Sequence, residues 1–163
     1  MLGQAVQDAI NEQIKNELYS AYLYVSMSAF CESGNYPGAA KWLTVQAKEE
    51  VGHAMKFYRY IHDRGGQVIL QAINQPPTKF QSLLAIFQQA LEHERKVTGM
   101  INHLYEVAAK ENDYATQVLL QWFINEQVEE ERNASQNVDQ LTRAGDHLPV
   151  VLMVDARLGE RGK

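Results

Sequence analysis

The stretch Lys48 to Gly65, KEEVGHAMKFYRYIHDRG, contains no proline and carries Ala54, Phe57 and Ile61 at helical spacing, continuing Leu43 and Ala47. It predicts a helix. Glu50 and His53 stand three residues apart and therefore share one face of it, together with Leu43, Phe57 and Tyr60. That face is apolar, so the pair points toward a core. A buried carboxylate and a buried imidazole need partners, because an unpaired buried charge is costly. A metal ion is one such partner. Glu-x-x-His on an inward helix face is the ligand pattern of di-iron carboxylate bundles. A single copy is weak evidence, since any long polar helix can contain one by chance. The remaining ligands have to come from elsewhere in the chain.

Working outward, the breakers divide the chain into long segments. Proline occurs only at Pro37, Pro76, Pro77 and Pro149. The first helix is expected from about Ala5 to Ser33, stopping at Gly34. Asn35-Tyr36-Pro37 is a turn, with Pro37 suited to the first position of the second helix. That helix should reach about Arg64 and end at Gly65-Gly66. A connection of roughly fourteen residues passes through Pro76-Pro77. The third helix is expected from Phe80 or Gln81 to Lys110, and Glu111-Asn112-Asp113 turns into a fourth that runs to Arg143 and stops at Gly145. His147 to Leu158 reads as a short apolar fifth helix entered through Pro149.

Four helices of about 28 residues would each be roughly 42 Å long. Equal lengths suggest an all-α four-helix bundle in one domain spanning residues 1–163. Tight turns make the first and second helices antiparallel neighbours, and likewise the third and fourth. Fourteen extended residues reach about 46 Å at ~3.3 Å each, just enough to travel the bundle's length. The middle connection is therefore expected to be a long crossover that leaves helices two and three parallel.

Bulk properties narrow the function classes. Hydrophobic residues make up 45% of the 163, which fits a globular domain with a proper core. The formal net charge is -5 and no Lys/Arg-rich run stands out, so nucleic acid is not the expected partner. No apolar run approaches a membrane span, and Met1 to Gln13 is polar without a hydrophobic signal core. The single cysteine, Cys31, fits a reducing compartment and a small buried apolar role. A cytoplasmic location is expected.

The inward stripe of each helix is interrupted near its middle. Helix one gives Ile10, Ile14, Glu17, Ala21, Tyr24, Ser28, and helix two gives Leu43, Gln46, Glu50, His53, Phe57, Tyr60. Helix three gives Leu83, Phe87, Ala90, Glu94, Val97, Ile101, Leu104, in which Glu94 is the only charge. Helix four gives Leu120, Phe123, Gln127, Glu130, Ala134. Glu17, Glu50, His53, Glu94 and Glu130 meet no inward Lys or Arg, and the four carboxylates would repel one another. Two divalent cations would neutralise them and satisfy the imidazole. Such ligation suits iron or manganese, and zinc would also bind. A hydrogen-bonded network of protonated carboxyls is the alternative.

At this point the sequence resembles the bacterial non-haem ferritins over essentially its whole length. The resemblance is carried by Asn16-Glu17-Leu18-Tyr19-Ser20-Ala21-Tyr22, Glu49-Glu50-Val51-Gly52-His53-Ala54, Glu94 and Gln127-x-x-Glu130. It implies a ferroxidase centre in which Glu17, Glu50 and His53 hold one iron. Glu50 bridges to a second iron held with Glu94 and Glu130. Gln127 would hydrogen-bond the oxygen ligand or a second-site water, and Tyr24, on the face of Glu17, looks like the family's tyrosine beside the centre. Its plainer role is a core tyrosine bonded to Glu94. The resemblance also implies a third iron site from Glu49, Glu126 and Glu129, with Glu130 shared. The plainer reading of the helix-four acids is a solvated face. Val51 stands where bacterioferritins carry a haem-ligating Met, so haem is not expected. A fifth helix argues for the twenty-four-subunit cage over the twelve-subunit one. His62, His93, His103 and His147 read as surface or interface residues, and Trp42 and Trp122 as packing residues.

The function implied is iron storage and detoxification: Fe(II) is oxidised to Fe(III) by dioxygen or hydrogen peroxide and stored as ferric mineral. The alternative is a di-iron oxidase or peroxide-scavenging protein without a major storage role. One cysteine excludes the rubrerythrin version of it, which needs a Cys-rich second iron site. A purely structural shell subunit would lack the oxidation ligands.

Overall fold

The computed structural model describes residues 1–162. Among these residues five helices follow one another: α1 (Gln4–Ser33), α2 (Pro37–Asp63), α3 (Leu83–Lys110), α4 (Tyr114–Ala144) and α5 (Leu148–Leu158). Among the described residues every regular element is a helix, in keeping with the all-α expectation. No helix among them is long and apolar enough to cross a membrane.

Local chemistry sets the helix ends. Pro37 opens α2 as expected. After α1 the left-handed residue is Asn35, with φ 59°, rather than Gly34. Asn112, φ 55°, does the same after α3. Asparagine tolerates this region because its short polar side chain can bond locally. Asp113 then caps α4 by accepting from the Thr116 N–H. The start of α3 differs from expectation. Phe80 and Gln81 lie outside it, because Ser82 in extended backbone accepts from the Ala85 N–H at 3.0 Å and caps the helix there.

The connection between α2 and α3 therefore spans residues 64–82, longer than the fourteen expected. It is tied to α1 along its way. Gln7 accepts from the Gln67 N–H at 2.8 Å, and Asn11 bonds both the Gln67 carbonyl and the Ile69 N–H. Further on, Ser26 donates to the Pro77 carbonyl at 2.6 Å. The connection thus runs alongside α1 from near its start to near its end, as a long crossover must.

The core is in two parts. One apolar cluster joins Leu23, Met27 and Cys31 of α1 to Ala40 and Leu43 of α2, Leu83 and Phe87 of α3 and Leu141 of α4. The other joins Ile10 and Ile14 to Phe57, Ile61, Ile101, Leu104, Leu120 and Phe123. Phe57 and Phe123 stack at 4.0 Å there. Helices α2 and α3 both begin in the first cluster and end in the second, while α1 and α4 run the other way. So α2 and α3 are parallel. Cys31 is fully buried, and burial pushes its thiol up to about 12, which leaves it unreactive.

Helix α5 crosses the start of α2. Asp155 accepts from the backbone N–H groups of Gly38 at 3.2 Å and Ala39 at 2.7 Å. The backbones approach so closely that any side chain on Gly38 would overlap the Asp155 carbonyl. Val154 and Leu158 are buried, whereas Leu148, Leu152 and Met153 stay exposed.

Candidate metal centre

Between the two apolar clusters lies a belt of buried polar side chains: Glu17, Gln46, Glu50, His53, Glu94, Gln127 and Glu130. Each is delivered by the inward stripe of its helix, where 3/4 spacing leaves it no solvent-facing alternative. Their ligand atoms form two compact triads. Glu17, Glu50 and His53 make one and Glu50, Glu94 and Glu130 the other, each with its three atoms within 4.8 Å of one another. Glu50 belongs to both. In the first triad, His53 Nδ1 lies 3.3 Å from Glu50 Oε2 and 3.8 Å from Glu17 Oε2.

Amide and hydroxyl groups aim these acids. Gln13 Nε2 donates to Glu17 Oε1 at 2.8 Å. Gln46 Nε2 donates at 2.8 Å to both Glu50 and Glu130, tying α2 to α4 across the centre. Tyr24 donates to Glu94 Oε1, the role expected of a core tyrosine. Gln127 Nε2 lies 3.2 Å from both the carboxylate and the backbone carbonyl of Glu94. It thereby supports a ligand, a placement that its spacing before Glu130 did not foretell.

Burial and mutual repulsion govern the charges. Burial, then repulsion from Glu50, holds Glu17 well above the usual carboxylate range. The same causes raise Glu94 to about 7, against the opposing bonds from Tyr24 and Gln127. Burial, then Glu94 and Glu50, raises Glu130 to about 8. For Glu50 burial acts upward too, but the bond and charge of His53 and the bond from Gln46 outweigh it, and its carboxyl is lowered. His53 is raised for the reciprocal reason: burial acts downward, and Glu50 overrides it. Glu50 is thus the resident anion of a site whose other acids resist ionising without a cation.

The donor set fits a divalent metal. Glu17 Oε2 and Gln46 Oε1 are buried with no hydrogen-bond partner among the described residues. A buried carboxylate oxygen without a donor, beside an imidazole nitrogen and a second carboxylate, is what a cation would satisfy.

The expected third set is only partly gathered. Glu126 Oε1 lies 3.8 Å from His53 Nε2, and His53, Glu126 and Glu130 form a third triad within 4.8 Å. Glu49 and Glu126 line one open pocket of about 590 Å³ with His53, Lys56 and Trp122. Glu49 itself is bonded to Arg161 at 2.6 Å. Glu129 is turned to solvent and lies 3.5 Å from Arg132, three residues on along the exposed face. Its placement matches the plainer reading of a solvated helix surface.

Three residues near the centre were not candidates. Gln13 and Gln46 each lie one turn before a core glutamate, and that i, i+4 spacing was a usable signal. His93 reads from the sequence as a surface or interface residue. It is half-buried instead, with Nε2 2.7 Å from Ser20 Oγ and its ring between Tyr19 and Tyr24. Burial lowers its pKa and favours the neutral ring. His62, His103 and His147 are exposed as expected. Trp42 packs in the core, while Trp122 is partly exposed and stacks edge-on against His53 at 5.5 Å.

The ferritin-like domain family pattern matches residues 7–144. The chain belongs to that family. It is 41% identical to a bacterial non-heme ferritin of Staphylococcus saprophyticus, over 99% of this chain and 96% of the relative. With the one from Staphylococcus epidermidis it shares 40%, covering 99% and 97%. Among solved structures, the open-pore ferritin of the hyperthermophilic archaeon Archaeoglobus fulgidus superposes with a TM-score of 0.97 at 41% identity, covering 98% of each chain. A closed form of that ferritin engineered by mutagenesis gives 0.98, also at 41%, covering 99% and 98%. The resemblance read from the sequence motifs and the ferritin-like bundle are thereby borne out across nearly the full chain.

Proposed function

We propose that this chain, as one ferritin-like domain, is the subunit of an iron-storing ferroxidase, an iron(II):oxygen oxidoreductase whose substrate is Fe(II). The observation that carries the reading is the pair of buried triads sharing Glu50. Glu17, Glu50 and His53 would take one Fe(II), and Glu94 and Glu130 the second, with Glu50 common to both. The two irons each supply one electron, reducing dioxygen to hydrogen peroxide with uptake of two protons.

The chain's own groups prepare this step. Glu17, Glu94 and Glu130 give up protons as iron binds, so metal exchanges for protons and the buried site never holds uncompensated anions. Hard carboxylate oxygens favour Fe(III) over Fe(II) and so favour oxidation. Tyr24 and Gln127 keep Glu94 oriented, and Gln46 sets the spacing of Glu50 and Glu130. The apolar clusters above and below exclude water. Beyond His53, Glu126 with Glu49 at the pocket would hold a third iron in transit, with Glu129 farther out on the same helix face. Val51 in place of a haem-ligating Met is consistent with the relatives' description as non-heme ferritins.

The assembly is a twenty-four-subunit cage in the cytoplasm, with the exposed apolar face of α5 among its contacts. Ferric product leaves the centre for a mineral inside it. The second reading, an oxidase or peroxide scavenger without storage, differs only in the fate of that product.

The test is aerobic Fe(II) addition to metal-free protein with stopped-flow absorbance, beside Glu94→Ala. Rapid oxidation saturating at about two Fe(II) per chain and lost in Glu94→Ala is expected. Slow oxidation at one rate in both proteins would sink the coupled centre. Continued loading, with iron co-sedimenting with the cage, separates storage from scavenging.

A further inference from the structure

We infer that Arg161 is a charge latch on the pocket beside the centre: it engages Glu49 and so sets how readily that pocket takes a third cation. The inference rests on the reading of Glu49 and Glu126 as ligands of that cation.

The latch is built by the fold. Asp155 pins α5 across the start of α2, and Lys41 Nζ donates to the Gly159 carbonyl at 3.0 Å. The segment after α5 is therefore led back along α2 toward Glu49. Arg161 is anchored there three times. Its Nη1 lies 3.4 Å from the Trp42 carbonyl, its guanidinium sits 4.2 Å from the centre of the Trp42 ring, and its Nη2 donates to Glu49 Oε2 at 2.6 Å. Trp42 is buried, so the platform is rigid. Two of the three anchors hold the guanidinium in place whether or not Glu49 is present.

The consequence falls on Glu49. Its carboxylate lines the same pocket as His53 and Glu126, yet the compact acid–imidazole group there is His53, Glu126 and Glu130, without Glu49. A dication placed between Glu49 and Glu126 would either displace Arg161 from Glu49 Oε2 or share the carboxylate with it, facing its positive charge in both cases. The Arg161 side chain is 19% exposed and that of Glu49 44%, so the bond is short and charge-assisted but partly screened by solvent. Coupling is reciprocal: a cation that captures Glu49 weakens the Glu49–Arg161 pair by the same factor. One arginine, held in place by Trp42, thereby sets the occupancy of the pocket.

The experiment is anaerobic Fe(II) titration calorimetry on the assembled protein, comparing wild type, Arg161→Ala, Arg161→Lys, Glu49→Gln/Arg161→Ala and Glu94→Ala. We expect the binding event that follows filling of the pair to be about tenfold tighter in Arg161→Ala, intermediate in Arg161→Lys, and back to the wild-type value or weaker in the double variant. No difference between wild type and Arg161→Ala, or no third event in either, would overturn the latch. So would a gain that survives in the double variant, since it would then come from net charge and not through Glu49. Failure of the underlying centre has a separate signature: two tight events that persist unchanged in Glu94→Ala.

Discussion

Asp155 and Glu94 are both carboxylates buried in a helical protein, and the molecule treats them oppositely. Asp155 receives two backbone N–H groups at the start of α2, where the helix macrodipole also favours an anion. Its charge is answered by the fold itself. Glu94 faces Glu50 and Glu130, and one phenol and one amide are its side-chain donors. Its charge is answered by giving it up, which is why it titrates near 7. A buried acid alone therefore says nothing about metal. What distinguishes a ligand is that other acids converge on it within ligand distance, with no cation among them.

The sharpest break of this comparison is Glu50→Ala set against Asp155→Ala. Glu50 serves both triads, so its loss should slow coupled Fe(II) oxidation by about 100-fold or more, measured by stopped flow. The metal-free protein should not be destabilised in proportion, since the substitution also removes repulsion on Glu17, Glu94 and Glu130. Asp155→Ala should do the reverse. It leaves the Gly38 and Ala39 N–H groups without their acceptor and should cost about 2 kcal/mol of stability, seen as a Tm drop of roughly 4–8 °C. Its initial oxidation rate should stay near wild type. If Glu50→Ala melts the fold while Asp155→Ala abolishes oxidation, the division between the two kinds of acid is wrong.

The next effect is on pH. Glu94 and Glu130 titrate at about 7 and 8 in the folded chain, against the 4.5 of a free glutamate. The folded state thus holds protons that the unfolded chain has already released. The stabilisation this provides is complete below about 4.5 and lost as pH rises through 7 and 8. His53, also raised, contributes with the same sign, while the lowered Glu50 acts only below 4.5. Metal-free protein should consequently lose at least about 1 kcal/mol between pH 6 and 8.5. Fe(II) binding should run the other way and tighten with rising pH in that window, by about tenfold per pH unit for each proton that binding releases. Calorimetric melting and Fe(II) titration at the same pH values test both signs.

The two regions also differ in how visible they were in sequence. The ligands of the centre were legible because each interrupts an apolar stripe: Glu94 is one charge among six apolar residues, and no helical register could move it out of the core. Asp155 broke no stripe in a segment read simply as apolar, so its capping role appeared only once α5 lay across α2. The crossover's direction was legible from helix lengths and turns. Its extent was not, because the Ser82 cap overrode the helical spacing of Phe80 and Gln81. Glu129 shows the converse limit. A helix face crowded with acids offers several equally good candidates, and only the packing angle decides which turn inward. Arg161 lies more than a hundred residues from Glu49 and carried no signal at all.

The smallest effect concerns Gln46, the one amide that touches both halves of the centre. It donates to Glu50 and Glu130 together, while its own carbonyl oxygen has no partner. If its work is electrostatic, it helps keep Glu130 ionisable, and Gln46→Leu should weaken Fe(II) binding a few-fold, by about 0.5–1 kcal/mol, at pH 7. At pH 9, above the titration of Glu130, that deficit should shrink toward nothing, because the carboxylate no longer needs help to lose its proton. If its work is geometric, holding α2 and α4 at ligand distance, the deficit will be the same at both pH values. Calorimetry at pH 7 and pH 9 separates the two. Only the first outcome keeps Gln46 in the same class as the Gly38 and Ala39 N–H groups, as a donor that offsets a buried negative charge.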